Sequence, residues 1–403
     1  MRSVGFARPV VAALLVCLIA IAAPVAAGAQ KPFVVGVVED LNGTYSGNGG
    51  PNTVLATKMA AEDFGGSVLG RPIEVIAVDH QTKPDLGSSL ARQLVDERGA
   101  SVLVVGGSSA VGLAVQNYAK ERKISTLTTG NYAASFSGRF CSPYSTHYAV
   151  STDALAGGVA DAIVQAGGKK WFLIVVDYAF GNDLAADTTK AVEKAGGSVI
   201  GQVKHPLATT DLSSQLLQAQ ASGADVIAFA NAGPDLVNSV KQAKEFGIKN
   251  TAALLVFVNN VVSMGLDTAQ GLRFVVNFYW DANDASRAFA QRIMARNGNV
   301  VPDMGHTLAY ISTLHYLQAV AKVGSDDPAA VNAAMREMPF TDGMLSNPHI
   351  LRNGRMVSDL YLVEVKSPAE SKSPADLYKI LEKVPGDKLF VPAEQSGCPV
   401  PTN

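Results

Sequence analysis

Short apolar runs alternate with amphipathic stretches along most of the chain. In the first part, the apolar runs are FVVGVV, IEVIAV, SVLVVG and ISTLTT. Between them lie stretches with a 3.6-residue period, from about Thr53 to Asp63 and then LGSSLARQLVDE and VGLAVQNYAKER. Buried parallel strands are short continuous apolar runs, and the helices that join them carry one apolar stripe. The pattern therefore predicts an α/β protein built from right-handed βαβ units.

The next part of the chain repeats this order of elements. WFLIVVD, SVIGQVK, DVIAFAN and AALLVFV are predicted strands, and the stretches before, between and after them are predicted helices. GGSVLG at 65–70 and GGSVIG at 196–201 hold the same place in the two series. The repeat predicts two similar Rossmann-like lobes. We assign residues 30–149 with 278–358 to lobe 1, and 150–277 with 359–403 to lobe 2.

The first residues have the pattern of an export signal. MRSVGFARPV carries two arginines, VAALLVCLIAIAA is uninterrupted and apolar, and AGA at 27–29 ends the segment in small residues. These are the three regions of a secretory signal peptide, so we expect residues 1–29 to be removed; a membrane anchor is the alternative. Cys17 follows Val16 rather than a small residue, so lipidation is not expected.

The charge and cysteine content of the chain without residues 1–29 indicate which partners and covalent links to expect. Without residues 1–29, Lys and Arg number 31 against 35 acids, a formal charge of −4 (31 minus 35). A weakly acidic chain without a basic cluster does not favour nucleic acid as a partner. Two cysteines remain, Cys141 and Cys398. An even pair in an exported protein is expected to form a disulfide, with a free buried pair as the alternative.

Catalytic and cofactor motifs are missing from the sequence. GGSSA has Ala110 where the last glycine of a GxSxG elbow belongs, and neither a GxxxxGK[ST] loop nor a GxGxxG loop follows a predicted strand. The histidines show no HExxH spacing and have no companion cysteines. We therefore predict a protein that is not an enzyme, with no cofactor and no metal site.

Open α/β sheets bind ligands at the carboxyl ends of their strands. Two facing lobes would place those ends on either side of one cleft. The corresponding loops are EDLNGTYSGNGG, GGSSA, TTGNYA, DYAFGN, ANAGPD and NFYWD, together with the helix start DMGHT. They are rich in Tyr, Phe, Trp, Asn and Ser and poor in Lys and Arg, which favours a small organic solute.

The chain resembles the solute-binding proteins of ABC importers in the branched-chain amino acid (Leu/Ile/Val-binding) family. The resemblance is carried by VVEDLNGTYSGNGG, LGRPIEVIAVDHQTKPD, DYAFGNDLAADTTKAVEKAGG, ANAGPDLVNSVKQAKEFG and the closing CPV. It is most similar to the subgroup that takes up plant-derived aromatic acids, which has cysteines matching Cys141 and Cys398. The resemblance implies a monomeric periplasmic protein of the type I periplasmic binding fold. Its two lobes, joined by three hinge crossovers, would close on a solute and present it to a membrane permease.

The resemblance also implies roles for individual residues. Ser109 matches a serine that holds a ligand carboxylate, while Tyr132 stands where amino-acid-binding members have a threonine. Asp235 matches the acid that receives an ammonium group, with capping of a helix as the alternative. The aromatic residues expected to line the cleft are Tyr45, Tyr178, Phe180 and Trp280.

Position in the strand-end loops adds three further candidates, Asn131, Asn231 and His306. Each candidate has a plainer alternative: helix capping for Ser109, loop packing for Tyr178 and Phe180, hinge filling for Trp280, turn chemistry for the asparagines and a helix start for His306.

The predicted ligand is a small aromatic carboxylate, with a branched-chain or other aliphatic amino acid as the alternative. A buried ammonium group needs a paired anion, and the only matching acid is Asp235. A periplasmic sensor that hands its liganded form to a receptor kinase is the alternative from another class.

Overall fold

The computed structural model describes residues 1–7 and 31–399. Residues 8–29 of the predicted signal peptide, residues 1–29, lie outside the described residues, so its removal stays a prediction. The fold described below begins at Pro32. No helix in the described ranges combines the length and the apolar character needed to cross a membrane.

The first parallel sheet is built from the first third of the fold. Within residues 31–399 its strand order is β2-β3-β1-β4-β5-β6, and every pairing is parallel except that of the short hairpin strand β2 with β3. All seven residues of β1 are buried, as expected for a central strand. The elements are β1 (Phe33–Glu39), α1 (Gly50–Asp63), β2 (Ser67–Val68), β3 (Arg71–Asp79), α2 (Pro84–Asp96), β4 (Ala100–Val105), α3 (Ser109–Arg122), β5 (Ser125–Thr128) and β6 (Ser145–His147).

The second parallel sheet has the strand order β10-β9-β7-β8. Its central strands are buried, whereas the edge strand β8 alternates exposed and half-buried residues. The predicted α/β class with two series of parallel strands is confirmed. The elements are α4 (Thr152–Gln165), β7 (Lys170–Val176), α5 (Ala179–Lys194), β8 (Ser198–His205), α6 (Ser213–Ala221), β9 (Val226–Ala230), α7 (Gly233–Glu245), β10 (Thr251–Ala253), α8 (Val258–Met264) and α9 (Leu266–Ala269).

The rest of the chain adds helices and an antiparallel sheet. Helix α11 packs against α1, and β11 and β14 pack against α4, so this part of the chain contacts both series of strands. In the antiparallel sheet, β14 lies between β11 and β15. The lobe boundaries and hinge positions stay predictions. The elements are β11 (Arg273–Val276), α10 (Asp284–Met294), α11 (Met304–Val323), α12 (Pro328–Glu337), β12 (His349–Ile350), β13 (Met356–Val357), β14 (Leu360–Val365) and β15 (Tyr378–Val384).

The repeated glycine segments end equivalent helices but continue differently. Gly65 and Gly196 both have positive φ, 110° and 89°, just after α1 and α5. At the end of the first copy, Gly70 has a φ of 72° and the chain turns back from β2, which lies within the copy, into β3. The second copy enters β8 at Ser198, so its last four residues already belong to that strand. The sequence repeat therefore marks the place of a helix end, and not one shared hairpin.

Cys141 and Cys398 form the predicted disulfide, across a sequence separation of 257 residues. Cys141 follows the loop after β5 and is fully buried. The bond ties the segment after β15 to the part of the chain that carries the first sheet.

Candidate ligand-binding site

A cavity lies at the carboxyl ends of both parallel sheets. The loops after β1, β4 and β5 supply one side, and the loops after β7, β9 and β10 supply the other. The start of α11 completes the wall. The lining residues are Tyr45, Asn48, Gly49, Thr53, Gly107, Ser109, Gly130, Tyr132, Tyr178, Phe180, Ala232, Leu255, Phe257 and Gly305.

The cavity wall combines helix N-termini with neutral side chains. In the described part of the chain, five helices of more than eight residues begin at this wall: α1, α3, α5, α7 and α11. The first amides of a helix carry a partial positive charge and favour an anion. None of the lining residues is Asp, Glu, Lys, Arg or His. The wall can therefore receive an anionic group through amides and hydroxyls.

Contacts between the two sides of the cavity close it. The hydroxyl oxygens of Tyr45 and Tyr178 lie 2.8 Å apart, and Asn259 Nδ2 donates to Asn48 Oδ1 at 3.0 Å. Tyr132 and Phe257 meet edge to face with ring centroids 5.5 Å apart. Because these pairs join loops of different sheets, the structure is a closed form of the cleft.

Two hydroxyl groups on the first side can donate into the cavity. Ser109 Oγ accepts the backbone N–H of Ala133 at 3.3 Å, so its own proton is left for another acceptor. The buried Tyr132 hydroxyl has no hydrogen-bond partner within the described ranges. Burial raises the pKa of Tyr132 well above its ordinary value, so this hydroxyl stays protonated. Both groups suit a carboxylate.

Five predicted site residues lie on this wall: Tyr45, Ser109, Tyr132, Tyr178 and Phe180. Their elements are the starts of α3 and α5 and the loops after β1 and β5. The structure brings them together from separate parts of the chain, while their contact with a ligand stays a prediction.

Four other predicted residues have partners within the protein and do not line the cavity. Asn131 Nδ2 donates to the carbonyls of Gly106 and Ser108 at 3.1 and 2.9 Å. Asn231 Nδ2 donates to Ser239 Oγ at 2.9 Å, and Trp280 Nε1 donates to the Ala375 carbonyl at 2.8 Å. His306 Nε2 lies 3.2 Å from the Gly49 carbonyl oxygen. Their ligand contact stays a prediction, and the observed bonds support their neighbouring loops.

Asp235 lies in the first turn of α7 and is fully buried. Its Oδ2 accepts the backbone N–H of Ala208 at 3.2 Å, whereas its Oδ1 has no hydrogen-bond partner among the described residues. Burial raises its pKa. Asp235 is thus near the second side of the site without forming part of its wall.

The structure also adds wall residues that sequence reasoning missed. Asn48, Gly49, Gly107, Gly130 and Ala232 belong to the strand-end loops, but small and amide residues there resemble ordinary turns. Two more, Leu255 and Phe257, fall in the run AALLVFV, for which a strand is predicted over its whole length. That prediction is wrong beyond Ala253, because the chain bends and α8 begins at Val258.

The family model for periplasmic binding proteins matches residues 32–372. The chain belongs to this periplasmic binding protein family. The type I periplasmic binding fold implied by the resemblance is confirmed, as is the prediction that the protein is not an enzyme, since the family consists of binding proteins.

Individual relatives of this periplasmic binding protein agree with that assignment. A periplasmic binding protein from Burkholderia mallei is 42% identical, with 92% of this chain and 99% of that one covered and a TM-score of 0.89. The Leu/Ile/Val-binding protein homolog 6 of Brucella melitensis is 26% identical over 223 residues, or 55% of this chain. The matched segment spans 56% of that curated relative's length, about half.

A solute-binding protein of an ABC transporter from R. palustris, in complex with benzoate, has the same fold. It is 20% identical, with 92% of this chain and all of that one covered and a TM-score of 0.80. At this identity the likeness concerns the fold alone.

Proposed function

We propose that this protein is the periplasmic solute-binding component of an ABC importer and that it closes on a small aromatic carboxylate. The observation that carries the proposal is a closed, aromatic cavity at which five helices begin and which no charged side chain lines, as far as the structure describes the chain. The partner would be a membrane permease. The benzoate complex of the R. palustris protein supports the ligand class.

The two ends of the cavity suit the two ends of such a solute. The carboxylate would lie at the start of α3, where Ser109 and Tyr132 can each donate a hydroxyl proton and the helix amides favour negative charge. The ring would lie among Tyr45, Tyr178 and Phe180, where each well-placed aromatic contact adds about 0.5–1.5 kcal/mol beyond burial.

An aliphatic amino acid is the second candidate, because Asp235 Oδ1 is buried without a partner in the described chain. It could accept an ammonium group if the loops around it moved. The name of the Brucella relatives supports this candidate. The neutral cavity wall argues against it, since an unpaired buried charge is heavily penalised.

The test is a thermal-shift screen of benzoate, 4-hydroxybenzoate and cinnamate against leucine, isoleucine and valine. A ligand at 100 times its Kd adds about 2.7 kcal/mol to the free energy of unfolding, which such a screen detects. We expect a shift with at least one aromatic carboxylate. Stabilisation by the amino acids alone would contradict the proposed ligand. Unchanged uptake of the identified solute in a deletion strain would contradict the transport role.

Tyr132→Phe tests the carboxylate end of the site. A hydrogen bond to a charged group contributes about 1.5–3 kcal/mol, so the affinity for the aromatic carboxylate should fall about 10- to 150-fold by calorimetry. The ligand-free protein should keep its stability, because the hydroxyl has no partner in the described structure. The matched control is Tyr118→Phe, on α3 but away from the cavity wall. Equal affinities for the two variants would contradict the assignment.

A further inference from the structure

Glu39, the last residue of β1, lies directly beneath the cavity wall. It is 1% exposed. Its Oε1 accepts the backbone N–H of Asp40 at 2.9 Å, and the Thr53 hydroxyl donates to the carboxyl group. Thr53 is a lining residue. One side chain therefore separates this acid from the space that a ligand would fill.

Glycines let the carboxyl group approach the loops of the site. A β-carbon on Gly106 would lie 1.9 Å from Glu39 Oε2, and one on Gly49 would lie 3.0 Å from it. Gly49 lines the cavity at the start of α1, and Gly106 precedes the lining residue Gly107. The acid is thus placed between the starts of α1 and α3, on the side of the site that we assign to the ligand carboxylate.

The titratable groups that act on Glu39 or border it are acids, histidines and a tyrosine. Beyond the effect of burial, the negative charges of Asp40 and Asp79 raise the pKa of Glu39, and the charge of Glu39 in turn raises the pKa of Tyr132. The neighbouring loops add His80, which bonds the Gly106 carbonyl, and α11 adds His306 and its capping partner Asp303. Burial lowers the pKa of His80. Burial raises the pKa of Glu39 to about 7.

We propose that Glu39 is a specificity-determining residue that carries a proton whenever an anionic solute occupies the cavity, so that capture of a carboxylate takes up one proton. This inference rests on the proposed function, because it requires an anionic ligand. An ionised Glu39 would repel the ligand carboxylate across the Thr53 side chain. When Glu39 is protonated this repulsion is absent, and the N-termini of α1 and α3 attract the ligand carboxylate.

The sign of the pH dependence follows from this arrangement. A second anion close to a buried carboxyl group raises its pKa further, so the liganded protein holds the proton more tightly than the free protein. Below about pH 6 both forms are protonated and the affinity is constant. Above about pH 7 the free protein must first take up a proton, and the affinity falls about tenfold per pH unit.

The test is calorimetric titration of full-length exported protein with benzoate, 4-hydroxybenzoate and cinnamate from pH 5.5 to 8.5. At pH 8, the binding enthalpies measured in phosphate and in Tris should differ by the difference between the ionisation enthalpies of the two buffers, because about one proton is taken from the buffer. Glu39→Gln, which is neutral at every pH, should show a flat affinity profile without proton uptake. Glu62→Gln, an exposed acid of α1, is the matched control and should keep the wild-type profile.

A second variant keeps the test decisive if Glu39→Gln does not fold. Thr53→Val removes the hydroxyl that donates to the carboxyl group, so the pH at which affinity begins to fall should move upward. Tight binding of a carboxylate without pH dependence would overturn this inference and leave the proposed function standing. The same pH dependence of the affinity in wild type and Glu39→Gln would also overturn this inference and leave the proposed function standing. Absence of carboxylate binding at every pH would overturn both.

Discussion

Asp235 has one bonded and one unbonded carboxylate oxygen, and this difference makes it a test of the solute class. In Asp235→Asn the side-chain oxygen can still accept the Ala208 N–H. If the solute is an aromatic carboxylate, we therefore expect affinity to change little. If the solute is an amino acid, loss of a charge-assisted bond should weaken binding about 10- to 150-fold, or about 1.5–3 kcal/mol.

The measurement for Asp235→Asn is the Kd of the best solute from the thermal-shift screen. Asp267→Asn is the control, because Asp267 is an exposed acid in the first turn of α9, away from the cavity. A large loss of affinity in Asp235→Asn alone would identify an ammonium-bearing ligand.

Individual residues also show which parts of the site could be predicted from the sequence and which could not. Ser109 and Tyr178 could be placed at the site because each follows a parallel strand, where two facing sheets bring their loops together. Asn131 follows a strand too, yet its amide bonds two backbone carbonyls. Glu39 looks like the polar end of an apolar run. Sequence position does not tell whether a side chain at a strand end points at a ligand or at the backbone.

At the scale of elements, two adjacent glycines of α4 are expected to respond oppositely to the same substitution. A β-carbon on Gly157 would lie 3.5 Å from its nearest neighbour, Leu389 Cδ2, an ordinary contact. A β-carbon on Gly158 would lie 2.4 Å from Val275 Cγ1 on β11. Gly157→Ala should raise the free energy of unfolding by about 0.5–1 kcal/mol through helix propensity.

Gly158→Ala should instead lower the free energy of unfolding by about 1–3 kcal/mol, because it overpacks the contact between α4 and β11. Urea unfolding of the two variants beside the wild type measures both effects, and each variant is the control for the other. Equal destabilisation of the two would contradict the packing described for this helix.

Some strands and helices were predicted correctly from the sequence and others were not. β1, β7 and β9 are buried along nearly their whole length, so their apolar runs stand out. The run that contains β10 is equally apolar but leaves the sheet after Ala253, since burial in a loop gives the same pattern as burial in a strand. Helix α10 is not predicted, although its buried residues Ser286, Phe289, Ala290 and Ile293 follow a helical period. Its charged residues lie off this stripe, so the helix could have been predicted from the sequence.

At the scale of the whole molecule, the hydroxyl pair of Tyr45 and Tyr178 joins the two sides of the cleft. Tyr178→Phe removes one hydrogen bond, which contributes about 0.5–1.5 kcal/mol. The ratio of closed to open protein without ligand should therefore fall about 2- to 10-fold. Small-angle scattering of the ligand-free protein should show a larger radius of gyration, and saturating ligand should restore the wild-type value.

Tyr310→Phe is the control for this prediction. It also removes a tyrosine hydroxyl bond, 2.6 Å to Asp63, but one that joins α11 to α1 on the same side of the cleft. It should lower stability without changing the radius of gyration. An equal increase of the radius in both variants would mean that lost stability, and not an opened cleft, caused the change.

The disulfide also sets an order of events in the making of the protein. Cys398 follows Cys141 by 257 residues. At synthesis rates of about 5–20 residues per second, the ribosome needs roughly 13–50 s to go from one cysteine to the other. Both parallel sheets lie between the start of the fold and Cys398, so every strand of them has been made before the partner thiol exists. The covalent link can therefore form only once every strand of both sheets is available to the folding chain.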